Sequence, residues 1–262
     1  MLTDVLGVSP GWSAQYLYVL ARLSSAITVA PFFGARGVPA QAKIGLALLL
    51  SLVVLPLQRT PVPPPPANLP LFATVVGSEV MVGLALGVGV MLVINALEMG
   101  AALIGVQIGF SLGSVIDPLT GAQSGAIEQF YRLVATLAFF AVNGHHLVIS
   151  ALVLSFRVVE AGSADLTLIA GERAVPFFAS LFVIALRVAL PVVVALILAD
   201  LALGMLGRAV PQLNVLVVGL PVKVGAGLFV AALSVPLMVL FLGASLTTSL
   251  PQILVLPRQS AR

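Results

Sequence analysis

Long runs without a charged side chain constrain the fold of this chain more than any motif does. Four of these runs are residues 80–97, 99–116, 133–156 and 224–257. About 18 consecutive residues of this kind are enough to nominate a membrane-spanning helix. Charged residues make up 8% of the chain, against roughly 25% in a soluble domain. The sequence therefore predicts an all-α integral membrane protein with about six hydrophobic blocks.

Proline and glycine divide the first half of the chain into a hairpin, a connector and a long helix. Residues 14–57 predict a helical hairpin, and its second block, residues 44–57, is too short to cross a hydrocarbon core about 30 Å thick. The proline-rich connector at residues 58–70 is typical of an extended spacer. Residues 71–123 then predict a long helix, with a weak break at Glu98, followed by a central loop.

The second half of the chain contains shorter predicted segments. Residues 124–205 predict further helices, the first of them over residues 128–156, with a polar loop at residues 157–173. Residues 211–251 predict a C-terminal hairpin of half-length helices because four prolines interrupt them, and a tail follows at 252–262. Broken helices are stable at membrane depth only where other protein or a water-filled cavity covers them. The sequence therefore predicts an obligate subunit of a larger helical complex.

The central stretch from residue 105 to residue 123, GVQIGFSLGSVIDPLTGAQ, combines glycines, hydroxyls and a break. Gly105, Gly109 and Gly113 lie four residues apart, so on one helix they form a stripe without side chains where another helix can pack closely. Asp117 precedes a proline, which disfavours continued helix and predicts a hinge.

The side chains of the same stretch have two characters. Gln107 and Ser111, four residues apart, form a polar stripe. The bulky apolar side chains are Phe110, Leu112, Val115 and Ile116. The sequence predicts a segment with one close-packing face, one wettable face and a hinge.

A membrane serine hydrolase is a less favoured alternative. Residues 109–113 match G-x-S-x-G around Ser111, and Asp117 and His145 or His146 follow in the order Ser, Asp, His. That motif requires a sharp turn between a strand and a helix, whereas here it lies in a helical glycine pattern. The Ser111→Ala substitution would inactivate a hydrolase and be tolerated at a packing position.

Ionisable residues inside the apolar blocks indicate contact with other protein. Such groups are costly in lipid and usually pair or line an aqueous path. We expect charges at subunit interfaces at Arg22, Glu79, Glu98, Arg187, Asp200 and Lys223.

Composition argues against several other classes of function. The chain has no cysteine and no P-loop, and its two adjacent histidines do not aim at one metal ion, so no metal or cofactor is predicted. The net charge of +3 is spread thinly, which predicts no nucleic-acid partner. No secretory signal is expected at the first apolar block, because it is long and lacks a basic lead-in.

Five segments together resemble a known family. They occur in the family's order and include ARLSS, GFSLGSVIDPLTGAQ, FFAVNGHHL and SFRVV, and they span residues 21–52, 109–123, 139–147, 155–159 and 199–228. The chain is similar to the family of the flagellar biosynthetic protein FliR, the R/T subunits of the type III secretion export gate. The proline-rich residues 61–70 depart from what the family leads us to expect.

The resemblance implies a noncatalytic membrane subunit of the flagellar protein export gate. Its implied partners are the P and Q subunits, FlhB, FlhA, unfolded flagellar export substrates and membrane lipid. Its implied location is the bacterial inner membrane at the flagellar basal body. The resemblance also implies a plug loop that seals the channel, at positions Gly109 to Asp117, with Phe110 as its bulky element. With this implication, Gly105 and Gln107 become pore positions too. Phe110, Leu112, Val115 and Ile116 then supply an apolar constriction that resists water and ions.

A stand-alone small-solute transporter or channel is the alternative from another class, since intramembrane charges and broken helices suit it too. Purification in mild detergent separates the two hypotheses. A gate subunit is expected in a large complex, and a transporter as a stable monomer or symmetric oligomer.

Overall fold

A computed structural model describes residues 11–34, 37–58, 66, 68–109, 126–163, 174–210, 212 and 215–255. In these ranges all regular structure is helical, which confirms the predicted all-α class. The described ranges contain seven α-helices, namely α1 (Trp12–Val29), α2 (Ala40–Val54), α3 (Leu69–Ile108), α4 (Ala126–Ala141), α5 (Gly144–Val158), α6 (Ala174–Ala209) and α7 (Val215–Val255).

The described helices confirm an integral membrane protein. Four segments are long and apolar enough to cross a membrane, and the bent pair α4 and α5 could supply a fifth crossing. The four segments are Ala40–Leu57, Leu69–Ile108, Pro176–Ala209 and Val217–Thr247.

Helix α2 corrects the prediction that the second block is too short to span. The helix begins at Ala40, directly after Pro39, and a 3₁₀ turn at Leu55–Leu57 extends it. Together these residues form an 18-residue apolar segment. The prediction was wrong because it placed the start of the helix at Ile44 and not at the proline, where helices commonly begin.

Two further predicted breaks are absent from the structure. Helix α3 continues through Glu98 and Gly100, and it ends only at Ile108. Helix α7 continues through its three prolines, so the C-terminal segment is one helix and not a hairpin. A proline removes one helical hydrogen bond, but its fixed φ is compatible with a helix, and membrane helices tolerate it.

A break that the sequence did not predict separates α4 from α5. Residues 128–156 had been predicted as one helix, but α4 ends at Ala141 and Asn143 takes a positive φ of 54°. Gly144 then packs against the ring and backbone of Phe139 so closely that any side chain there would collide with them. The break follows from the left-handed backbone at Asn143, which ends the helix.

The chain forms two compact units. The first comprises Met1–Leu92, His145–Phe177 and Leu246–Arg262, and its core includes Tyr18, Val19 and Leu23 of α1. The second comprises Val93–Gly144 and Phe178–Ser245. Its fully buried side chains include Ile104, Ile108, Leu196, Met238 and Leu242.

Candidate functional site

Two glycines of α3 let it pack unusually close to α1 within the first unit. A Cβ at Gly83 would collide with the backbone carbonyl of Arg22 and the hydroxyl of Ser25. A Cβ at Gly87, one turn later, would lie 2.7 Å from the carbonyl oxygen of Ala26. Small residues spaced four apart permit such helix crossings in membranes. The crossing brings the side chain of Glu79, one turn before Gly83, into contact with α1.

Arg22 and Glu79 form a fully buried ion pair at this crossing. The Arg22 Nε donates to Glu79 Oε2 at 2.6 Å, and both side chains are 0% exposed. The Arg22 Nη1 donates to the Val159 carbonyl at 2.9 Å and to Ser155 Oγ at 3.4 Å. The ring of Phe156 lies under the guanidinium, 4.2 Å from Cζ to the ring centroid. A buried charge requires such a set of partners, because its transfer from water is costly.

Glu79 also holds the turn that follows α5. Its Oε1 accepts a hydrogen bond from the Gly162 amide at 2.7 Å, and Gly162 has a φ of +81°, which favours glycine. The carboxylate and guanidinium therefore join α1, α3 and α5 with this turn. The sequence predicted partners on another subunit for Arg22 and Glu79. The structure gives them partners inside the chain, because both side chains are wholly enclosed by it.

Two further ion pairs lie in the second unit and are partly exposed. Glu98 on α3 pairs with Arg132 on α4 at 2.9 Å. Asp200 on α6 pairs with Lys223 on α7 at 2.8 Å. Glu98, Asp200 and Lys223 were singled out by their position in apolar blocks, whereas Arg132 was not, because it borders a charge-free run. A role of these exposed pairs at subunit interfaces stays a prediction.

Arg187 differs from these charges. Its side chain is exposed on α6, and among the described residues it has no ion pair or hydrogen bond.

The predicted plug begins where α3 ends. Gly105 is buried and Gln107 half-buried on the last turns of α3. Gly109 follows with a φ of +98°, so the chain leaves the helix there, and Gly105 and Gly109 do not belong to one continuous helical stripe. The remaining predicted plug residues lie outside the described residues, namely Phe110, Ser111, Leu112, Gly113, Val115, Ile116 and Asp117.

The described residues contain no group of three or more His, Cys, Asp or Glu side chains that could hold a metal ion. The rings of His145 and His146 are in contact at the start of α5, tilted by 37° with their centroids 4.2 Å apart. Their proposed triad partners, Ser111 and Asp117, are outside the described ranges.

Long apolar helices joined by ion pairs define a multi-pass helical membrane protein. Comparison with known families then identifies the kind of membrane protein. Residues 13–248 match the bacterial export proteins, family 1, and the chain belongs to that family.

Three relatives share one name. The chain is 38% identical over 215 residues to the flagellar biosynthetic protein FliR of Bacillus subtilis, covering 80% of this chain and 81% of the relative. It is 30% identical to FliR of Pectobacterium carotovorum, covering 86% of each chain. It is 29% identical to FliR of Escherichia coli, covering 88% of this chain and 87% of the relative. The chain is accordingly a membrane component of the flagellar protein export apparatus.

Proposed function

We propose that this chain is a noncatalytic subunit of the flagellar type III export gate. It completes the pore-forming core together with the P and Q subunits, and residues 109–117 form a plug that seals the channel. Unfolded flagellar export substrates displace the plug as they pass. The gate lies in the bacterial inner membrane at the flagellar basal body, in contact with lipid, FlhB and FlhA, and it has no nucleic-acid partner.

The observation that carries this proposal is the geometry at the end of α3. Ile104 and Ile108 on its last turns are 0% exposed. A Cβ at Gly227 of α7 would lie 2.6 Å from a side-chain carbon of Ile108, so α7 packs directly on this helix end. The backbone then turns sharply at Gly109. The proposed plug therefore begins at a firmly packed position, as a loop requires if it is to return to the same closed state.

The side chains after Gly109 have the chemistry of a seal. Phe110, Leu112, Val115 and Ile116 are bulky and apolar, and a constriction of such side chains excludes water and hydrated ions. Asp117, followed by proline, and Gly109 provide two points at which the backbone can change direction. An unfolded polypeptide can displace an apolar loop, whereas small ions cannot.

Deleting residues 110–116 tests the plug. Cells that overproduce the complete gate with this deletion are expected to leak small ions, measured as sodium and potassium flux across the inner membrane. The matched control removes residues 61–67, a segment of equal length in the proline-rich connector, and should leave ion flux unchanged. An unaltered flux in the 110–116 deletion, with the gate assembled normally, would refute the plug.

A further inference from the structure

Arg187 lies in the interior of α6, a helix that is long and apolar enough to cross a membrane. The charge-free stretches on either side of it, residues 174–186 and 188–199, are each shorter than the ~20 residues needed to cross a bilayer. Any crossing by α6 must therefore include Arg187 or Asp200. Asp200 already has a partner in Lys223. Arg187 lies about 20 Å from the start of α6 at 1.5 Å per residue, so it is far from both helix ends.

The surface around Arg187 is apolar. Val183, Leu190 and Val194 lie on the same face of α6 as Arg187, at helical spacings of three, four and seven residues, and all three are exposed. An arginine on such a face is expensive in lipid and normally meets other protein. Arg22, Arg132 and Lys223 each have a carboxylate within the chain, whereas Arg187 has none among the described residues.

Pro191 adds a second polar group at the same place. It lies inside α6 four residues after Arg187, and a proline has no amide hydrogen. The carbonyl of Arg187 therefore lacks the helical donor that it would otherwise have. Arg187 thus combines a guanidinium that has no carboxylate partner among the described residues with a carbonyl that has no amide donor four residues further on. Inside a bilayer, other protein can supply a partner for each group.

We propose that this face of α6, defined by Val183, Arg187, Leu190 and Val194, docks a membrane helix of a neighbouring subunit. That helix carries a carboxylate for the Arg187 guanidinium and, beside it, a hydroxyl or amide donor for the Arg187 carbonyl. Charge complementarity selects the occupant, since an uncharged helix would leave the arginine buried and unpaired. The inference rests on the proposed role of the chain as a gate subunit, and it assigns that subunit one of its contacts.

The first test measures assembly of the complete gate, purified through a tag on another subunit. The Arg187→Gln variant is expected to lower the amount of this chain in the complex at least about tenfold, because the partner carboxylate loses its counter-charge. The Arg187→Lys variant should restore part of it. Arg208→Gln is the matched control, since Arg208 lies on the same helix, exposed, in its last turn, and this variant should assemble normally. Normal assembly of both Arg187→Gln and Arg187→Leu would overturn the proposal and indicate a lipid-facing arginine.

The second test identifies the partner. A photo-crosslinking benzoylphenylalanine at Leu190 should capture another gate subunit and so locate the partner helix. Changing the acidic residue of that helix nearest the crosslink to lysine should restore assembly of the Arg187→Glu variant. A crosslink to lipid alone would refute docking. Rescue by Asp117→Lys in the same chain would also refute it, because the partner would then be the chain's own central stretch. All these results concern assembly, whereas the plug is tested by ion flux in assembled gates, so the two proposals fail separately.

Discussion

Breaking the buried Arg22–Glu79 pair should destabilise the chain far more than removing both charges together. The Arg22→Met variant leaves a carboxylate at 0% exposure with only the Gly162 amide to stabilise it. It also removes the donor to the Val159 carbonyl. Glu79→Gln leaves the guanidinium buried without a counter-charge, but it keeps an oxygen for Gly162. The double variant buries no charge and retains that hydrogen bond.

The expected magnitudes follow from the burial of the pair. Removing one partner of a buried ion pair costs about 3–5 kcal/mol, and replacing both partners by uncharged residues is often nearly neutral. We therefore expect each single variant to lose about 3 kcal/mol or more, and the double variant to lie within about 1 kcal/mol of the wild type. Glu98→Gln is the control, because Arg132 and Glu98 are 56% and 27% exposed and exposed pairs contribute about 0–1 kcal/mol.

The chain contains its own reporter for this measurement. Trp12 is its one tryptophan, and its ring stacks on Tyr16 at 5.6 Å at the start of α1, the helix that carries Arg22. Unfolding of the chain in mixed micelles by increasing fractions of a denaturing detergent can be followed by Trp12 emission. Losses in the double variant that equal the sum of the two single losses would refute the pairing argument, because uncoupled residues add.

Two further predictions concern packing and a buried hydroxyl. Gly83→Ala should lower the free energy of unfolding by about 2 kcal/mol, because the new Cβ meets the backbone of α1. Gly77→Ala is the control: a Cβ there has nothing within 4 Å, so this variant should be neutral or stabilising. Equal effects of the two variants in thermal unfolding would contradict the close crossing. Tyr131→Phe should cost about 1 kcal/mol through loss of the buried 3.0 Å hydrogen bond between its hydroxyl and Ser234 Oγ. Tyr16→Phe, which loses only an exposed 3.4 Å bond to the Leu48 carbonyl, should cost less in the same assay, and the reverse order would disprove this assignment.

Local sequence signals predicted the class of the protein and several of its charges, but not their partners. The charge-free runs sufficed for an all-α membrane protein, because a hydrocarbon environment requires long apolar helices. Arg22 and Glu79 were predicted to contact other protein because each is a charged residue within an apolar block. Their pairing was not predictable, since they are 57 residues apart and the carboxylate's other partner is a backbone amide at Gly162. The segment SFRVV, one of those carrying the family resemblance, contains the contacts Ser155, Phe156 and Val159.

The prolines of the C-terminal segment led to a wrong prediction of helix breaks, because α7 continues through three of them. Half-length helices at residues 211–251 were one reason to predict an obligate subunit, but the structure has one continuous helix there. In a membrane, the missing hydrogen bond costs less than exposing a whole broken helix end to lipid, so tertiary context decides. Family membership now supports assembly, as does Arg187, which is exposed and has no ion pair with any residue that the structure describes. Asn143, which does end a helix, gave no comparable signal, because its left-handed backbone depends on how closely Gly144 can pack on Phe139.

Helix α3 has 40 residues and is therefore about 60 Å long, twice the ~30 Å depth of a hydrocarbon core. Fitting it entirely between the two headgroup layers would require a tilt of about 60°, beyond the 0–40° that membrane helices adopt. At least one end must therefore extend beyond the hydrocarbon core, yet Leu69 and Leu71 at one end and Val106 at the other are more than half exposed in the isolated chain. Lipid tails cannot cover the apolar side chains of whichever end extends beyond the core, so other protein must cover them.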